Sequence, residues 1–307
     1  MSKCCIFAGQ GAQVPGMGKD FSEADPEIAA FFDRANDVLG FDLRKTCFEG
    51  PAEELTKSNI CQPAIFVTSW AAYTALVKKT GVEFACAAGL SLGEWGALAA
   101  AGVLDFESTL KVLEARGRFM QEACEAVPSG MIAIVGASGD QLSQLCEKSN
   151  CTVANINSEQ QQVLSGSKDE IAAAATIAKE LGIKRAIPLA TAGAFHSKYM
   201  APAREKLASV LDTIEFKAPK IPVLSNVTAK PHSSDPGEIK AMMLEQVTGT
   251  TNWAADVEAA KALGADTLIE FGPGKVLSGL VKKIDPSLAT LNVADMASLE
   301  ATVAALA

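Results

Sequence analysis

Apolar positions along this chain fall into short uninterrupted runs that alternate with longer stretches at helical spacing. Cys4 to Ala8 is such a run and ends in Gly9-Gln10-Gly11, the pattern of a buried strand feeding a turn whose backbone N–H groups can face a ligand. Pro26 to Leu39, Ile65 to Lys79 and Phe106 to Ala126 repeat apolar residues with helical period, Asp25 and Pro26 supplying an N-cap and a first helical residue. Glu83 to Ala88 predicts a strand before Gly89. From about Ser129 the texture changes to a strand at Met131 to Gly136, a helix near Asp140 to Lys148, strands near Val153 to Ile156 and Gln162 to Ser165, a helix over Lys168 to Leu181 and a strand in Lys184 to Leu189. That order, βαββαβ over about 65 residues, predicts a small ferredoxin-like insertion. The last third predicts a strand at Val223 to Val227, a polar loop through Pro231 to Pro236, helices near Gly237 to Gln246 and Trp253 to Leu263, and a strand at Thr267 to Phe271. Gly272-Pro273-Gly274 then turns into a helix from near Lys275, and the Ala-rich end predicts a surface helix.

At 307 residues the chain is long enough for two lobes, and 49% hydrophobic with 21% charged residues argues against disorder, coiled coil and collagen-like architectures. The 36 acidic and 27 basic side chains give a net charge of -9, the wrong sign for sequence-independent nucleic-acid binding. Eight cysteines lie mostly in apolar stretches with no C-x-x-C spacing, and only two histidines are present to help hold a metal, so reduced thiols and no metal are expected. Cys4 to Ala8 is too short for a secretory signal, and the apolar run Trp95 to Leu104 falls below the roughly 18 residues of a membrane span. A soluble protein of a cytosol-like compartment is the expectation.

The candidate chemistry centres on Ala85 to Trp95, where a short apolar strand is followed by Gly89-Leu90-Ser91-Leu92-Gly93 and an apolar helical run. This is the pattern of a nucleophile elbow: the glycines permit a sharp strand-to-helix turn, Ser91 stands at the sheet edge, and the next backbone N–H, that of Leu92, faces a developing oxyanion. The competing reading makes Ser91 a helix cap. A serine nucleophile needs a base. His232 lies in the turn-forming run Lys230 to Pro236 and is expected on the solvated surface. His196 follows an apolar stretch and Gly193, as a loop at a strand end would, and is the stronger candidate for base, with a structural histidine as its alternative.

Arg116 has Val112, Leu113, Phe119 and Met120 as its helical neighbours, so its guanidinium leaves an apolar stripe and needs an anion. That anion is either a structural Asp or Glu from elsewhere in the chain or a substrate carboxylate held in two parallel hydrogen bonds. Arg118, about 200° further round the helix, is expected in solvent. Gly9-Gln10-Gly11 lacks the third glycine of a dinucleotide fingerprint and Gly272-Pro273-Gly274-Lys275 is not a phosphate-binding loop; the first can supply an oxyanion-hole N–H from Gln10, and the second reads as a tight turn. The cysteines read as core packing.

Taken together, Gly9-Gln10-Gly11-Ala12-Gln13, Gly89-Leu90-Ser91-Leu92-Gly93-Glu94, Arg116-Gly117-Arg118-Phe119-Met120-Gln121, Ala194-Phe195-His196-Ser197 and Gly272-Pro273-Gly274-Lys275-Val276-Leu277 resemble the malonyl-CoA:acyl carrier protein transacylase family over nearly the whole chain. The resemblance implies an α/β fold, with an α/β-hydrolase-like large subdomain in 1–125 and 193–307 and a ferredoxin-like small subdomain in 126–192. It implies Ser91 as nucleophile, His196 as base, Gln246 as the residue orienting that histidine, Gln10 and Leu92 as oxyanion-hole donors, and Arg116, Met120, Phe195 and Asn155 as substrate-binding residues. Lys184 and Arg185, with Lys198, would contribute a basic rim near the CoA or carrier-protein arm. Leu90 departs from the many members with histidine at that position. The implied partners are malonyl-CoA and acyl carrier protein, without a cofactor, metal, nucleic acid or membrane, in a monomer that supplies fatty acid synthesis in the cytoplasm, or in the plastid stroma for a processed eukaryotic chain. A serine esterase or thioesterase, and a non-catalytic carrier-protein-binding module, are the alternatives.

Overall fold

A computed structural model describes residues 2–307. The first apolar run is β1 (Ser2–Phe7), whose alternate residues enter two different cores, Cys5 and Phe7 on one face and Cys4 and Ile6 on the other. A strand buried on both faces belongs in a parallel sheet covered by helices on both sides. The chain supplies them: α1 (Lys19–Ala24), α2 (Pro26–Leu39), α3 (Leu43–Glu49), α4 (Ala52–Thr56) and α5 (Ser58–Thr80) precede β2 (Cys86–Gly89), which runs into α6 (Leu92–Ala100) and α7 (Phe106–Ala126). As its sequence predicts, α2 starts with the Asp25 side chain accepting from Glu27 N–H at 2.9 Å and Pro26 at the first turn, a cap worth about 1 kcal/mol.

Next come β3 (Ser129–Val135), α8 (Gly139–Ser149), β4 (Thr152–Ser158), β5 (Gln161–Ser167), α9 (Lys168–Glu180) and β6 (Arg185–Leu189), the expected βαββαβ order. They form an antiparallel sheet of order β4-β5-β3-β6. One face carries α8 and α9 over Ile132, Ile134, Leu145, Leu164 and Ile171. The other presents Met131, Ala133 and Val163 to the core of the large lobe. The chain returns through α10 (Ala201–Asp212), α11 (Pro236–Thr248), α12 (Trp253–Ala262), β7 (Ala265–Phe271), α13 (Val276–Ile284), β8 (Ala289–Val293) and α14 (Met296–Leu306).

The large sheet has order β2-β1-β7-β8 with every pair parallel, and Phe7 is in register with both Gly89 and Phe271. All C-terminal strand ends therefore open at one edge, where Gly9-Gln10-Gly11, Ser91 and Gly272-Pro273-Gly274 follow β1, β2 and β7. In open parallel sheets this is the edge that carries ligands.

Several elements differ from the sequence reading. Val223 to Val227 is not a strand: Val223 makes one parallel bridge to Ala87, and the chain then turns, with Ala229 N–H donating to Ser225 O. β8 is an edge strand whose Ala289 to Asn292 are not buried, so no apolar run marked it. α5 begins well before the expected Ile65, at Ser58, with Pro63 accommodated inside the helix. This helix is also long and apolar enough to cross a bilayer, which the run Trp95 to Leu104 is not; 72% of its most apolar window is buried, and it packs against α7 as the central core helix.

Candidate active site

The elbow forms because the strand leaving the sheet and the helix entering it touch. A β-carbon on Gly89 would lie 2.1 Å from the Gly93 carbonyl carbon, and one on Gly93 would lie 2.1 Å from Phe7 O, so side chains are excluded at both positions. Between them Ser91 adopts φ 55° and ψ −105° at the N-terminus of α6. His196, in the segment after β6, also has φ 55°. Positive φ at residues with a β-carbon is costly and collects at functional sites.

The two side chains meet, with Ser91 Oγ 2.8 Å from His196 Nε2. His196 Nδ1 is 2.9 Å from the backbone oxygen of Gln246. A carbonyl only accepts, so Nδ1 carries the proton and the Nε2 lone pair faces the serine hydroxyl. Burial, then the nearby Arg116 cation, push the His196 imidazole down to about 4, so it is neutral and able to accept a proton near pH 7.

Arg116, on α7, is 1% exposed. Its Nη1 donates to Gln62 Oε1 at 2.7 Å, and its Nη2 to Ser91 Oγ and Gln246 Oε1, both at 3.1 Å. Among the described residues no carboxylate lies within ion-pair distance of it. Burial lowers its guanidinium to about 10, opposed by the field of Glu94, and it remains a cation at neutral pH. The structural ion pair considered for Arg116 is therefore not formed; neutral oxygens and the serine hydroxyl hold it instead. Arg118 is in solvent, bonded to Glu114.

A cleft of about 540 Å³ opens over the dyad and is lined by Gln10, Ser91, Met120, Asn155, Phe195 and His196, among others, with Met131 and Val163 of the small sheet forming part of its wall. Leu92 is buried, its N–H following Ser91 at the sheet edge. Gln246 lies behind the dyad, and it is its backbone carbonyl, rather than its side chain, that meets the histidine. Asn155 commits its amide nitrogen to Thr251 Oγ1 at 2.5 Å, joining β4 to the large lobe. Lys184, Arg185 and Lys198 do not line the cleft, and Lys198 pairs with Glu170. Burial pushes the Cys61 and Cys124 thiols up to about 12, and Cys5 and Cys47 also up, in keeping with packing roles.

His232 corrects the sequence reading. Its side chain is 1% exposed rather than solvated, with Nε2 2.6 Å from Glu94 Oε1. The run of turn formers around it is a real turn, but one folded inward over a buried acid. Glu94, Gln62 and Asn226 are site residues that the sequence reading passed over. Glu94 is the one charged residue between Leu92 and Leu104, and that isolation was its signal. Asn226 and Gln62 have none beyond being amides beside apolar runs.

Comparison with known proteins agrees with this architecture. Residues 4–302 match the model of the acyl transferase domain family. The chain is 41% identical to the malonyl CoA-acyl carrier protein transacylase of Bacillus subtilis (strain 168), over 100% of this chain and 98% of that one. The crystal structure of malonyl CoA-acyl carrier protein transacylase from Clostridium perfringens superposes with a TM-score of 0.94 at 39% identity, covering 100% of this chain and 97% of that one. A malonyl-transacylase solved in complex with its type II PKS acyl-carrier protein superposes with a TM-score of 0.94 at 37% identity, covering 99% and 100%. With this match along its length, an elbow serine and a histidine on one cleft and a buried arginine bonded to that serine, the chain belongs to the acyl transferase domain family.

Proposed function

We propose that this protein transfers the malonyl group from malonyl-CoA to the phosphopantetheine thiol of acyl carrier protein, the step that supplies fatty acid synthesis, with no cofactor. The observation that carries this reading is Arg116 Nη2 lying 3.1 Å from Ser91 Oγ, a buried cation without a carboxylate partner beside a nucleophile. Malonyl thioester has its carboxylate one methylene from the reacting carbonyl, so a bound molecule places one end on the arginine and the other on the serine.

In the first half-reaction Ser91 Oγ bonds to the thioester carbonyl carbon as its proton passes to His196 Nε2, and the backbone N–H groups of Gln10 and Leu92 receive the oxyanion. The intermediate collapses with cleavage of the C–S bond; the CoA sulfur takes the proton back from His196, leaving a malonyl ester on Ser91. In the second half the carrier-protein thiol gives its proton to His196 and attacks that ester, and Ser91 Oγ leaves with the proton. Gln246 orients His196 through its backbone carbonyl, a neutral partner in place of a carboxylate. Met120, Phe195 and Asn155 wall the acyl site. In this reading residues 126–192 form a small subdomain set into a large one of 1–125 and 193–307, and the protein acts as a cytoplasmic or plastid-stromal monomer.

Intact mass after mixing with malonyl-CoA tests the reading. A transacylase holds one malonyl adduct on Ser91, which holo acyl carrier protein discharges. Rapid release of free malonate identifies a thioesterase instead, and absence of any adduct identifies a non-catalytic module.

A further inference from the structure

The strained conformation of Ser91 is held from both sides by side-chain amides. On one side, Ser91 N–H donates to Asn226 Oδ1 at 2.7 Å while Asn226 Nδ2 donates to Gly89 O at 2.8 Å, so a single amide spans the turn. On the other, Gln246 Nε2 donates to Ser91 O at 2.9 Å. That oxygen belongs to the peptide joining Ser91 to Leu92. In a trans peptide the C=O and N–H point in opposite directions, so fixing Ser91 O fixes the direction of Leu92 N–H.

Both amides have a common anchor. Glu94 Oε2 accepts from Gln246 Nε2 at 2.5 Å and from Asn226 N–H at 3.2 Å, and its other oxygen meets His232. Asp256 Oδ2 accepts from Asn226 Nδ2 at 2.8 Å, and burial, then Glu94, raise the Asp256 carboxyl well above the usual range, which favours its protonated form. Asn226, Gln246, Glu94 and Asp256 have no solvent exposure. A donor at one end and an acceptor at the other leave neither amide a satisfactory flipped arrangement.

We propose that Asn226 and the side chain of Gln246 form an amide clamp, anchored on Glu94, that holds Ser91 in its strained turn and aims the Leu92 N–H at the oxyanion. The proposal rests on the transacylase reading of the cleft. Asn226 and Glu94 are positioning residues: Asn226 acts on the backbone of Gly89 and Ser91, and Glu94 acts through Asn226 and Gln246. Both half-reactions pass through a tetrahedral oxyanion, so a loosened clamp slows acylation and discharge alike, whatever the acyl group, while Arg116 still meets the malonyl carboxylate.

The test measures single-turnover acylation by malonyl-CoA and acetyl-CoA, and discharge to holo carrier protein, for Asn226→Ala, Asn226→Asp and Glu94→Gln. Asn226→Ala is expected to lower both rates by roughly tenfold to a hundredfold, short of the loss on deleting an oxyanion donor outright, by the same factor for both acyl groups and with malonyl-CoA KM within about twofold. Asn226→Asp, which keeps the acceptor for Ser91 N–H, recovers part of the rate. Binding of a pantetheine trifluoromethyl ketone, which forms a tetrahedral adduct, weakens in step with the rate. Wild-type rates in the Asn226 variants, or a raised KM at unchanged kcat, overturn the clamp. So does a loss wholly explained by a smaller fraction of titratable serine. If both Asn226 variants fail to fold, Glu94→Gln decides: its neutral amide oxygen is a weaker acceptor for Gln246 Nε2 and Asn226 N–H than the carboxylate, so acylation and discharge are expected to fall by one common factor for both acyl groups, and wild-type rates in that variant overturn the clamp. A wild-type protein that takes up no malonyl group would overturn the transacylase reading itself; normal wild-type uptake with unaffected variants overturns the clamp alone.

Discussion

Arg116 Nη2 and His196 Nε2 converge on one atom, Ser91 Oγ, from 3.1 Å and 2.8 Å. In the proposed reaction the cation meets the carboxylate end of the substrate and the base its thioester end, so removing either should leave a distinct signature.

Replacing Arg116 by alanine removes two charge-assisted hydrogen bonds to a carboxylate end. Malonyl-CoA should lose on the order of a hundredfold or more in acylation kcat/KM, against less than about tenfold for acetyl-CoA, which never used the fork. Equal losses with both donors would show that Arg116 supports the serine rather than the carboxylate.

The pH profile follows from the sign of the histidine shift. As the proposed base His196 has to be unprotonated, and burial with Arg116 brings it down to about 4, so acylation should stay level through neutrality and fall only as the pH approaches that value. Arg116→Ala removes one of the two depressing causes. Followed with acetyl-CoA, its acid limb should move upward toward the ordinary histidine value of about 6.5. A limb that does not move would mean that burial alone sets the base.

The two histidines should separate cleanly. His196→Ala should lose several orders of magnitude in acylation with a modest change in Tm. His232→Ala leaves one oxygen of the buried Glu94 carboxylate without its hydrogen bond, a change that costs about 1–3 kcal/mol, and should appear chiefly as a lowered Tm with a smaller loss of rate. Calorimetry beside single-turnover kinetics checks both, and the reverse pattern would exchange their roles.

At the elbow, Gly93→Ala would drive a methyl group to 2.1 Å from Phe7 O, backbone that cannot yield without moving β1. A destabilisation at or above the roughly 1–3 kcal/mol of ordinary overpacking is expected, read from denaturant midpoints, together with loss of acylation in whatever fraction folds.

Much of this site is legible before any coordinates, because its chemistry is local in sequence. The elbow needs two glycines around one serine, and Arg116 betrays itself by leaving an apolar stripe. The small lobe was equally plain, since each of its strands and helices has its own period and its own turn. What escaped was built from long-range pairing. Asn226 contacts Ser91 across 135 positions and His232 contacts Glu94 across 138, and no periodicity joins such residues. His232 misled for the same reason: turn formers report backbone bending, not which side of the bend ends in the interior. Strand Ala289–Val293 was missed because an edge position demands few apolar side chains.

The close crossing at Gly89 and Gly93 has a consequence for how such a protein could take up new acyl groups. With no room for even a methyl, the bend that carries the nucleophile admits no gradual adjustment. In the proposed reaction any change of preference must therefore be made elsewhere in the cleft, by reshaping Met120 and Phe195 or relocating the guanidinium, while the serine oxygen stays where the crossing puts it. The molecule thus separates a rigid engine from a tailorable mould.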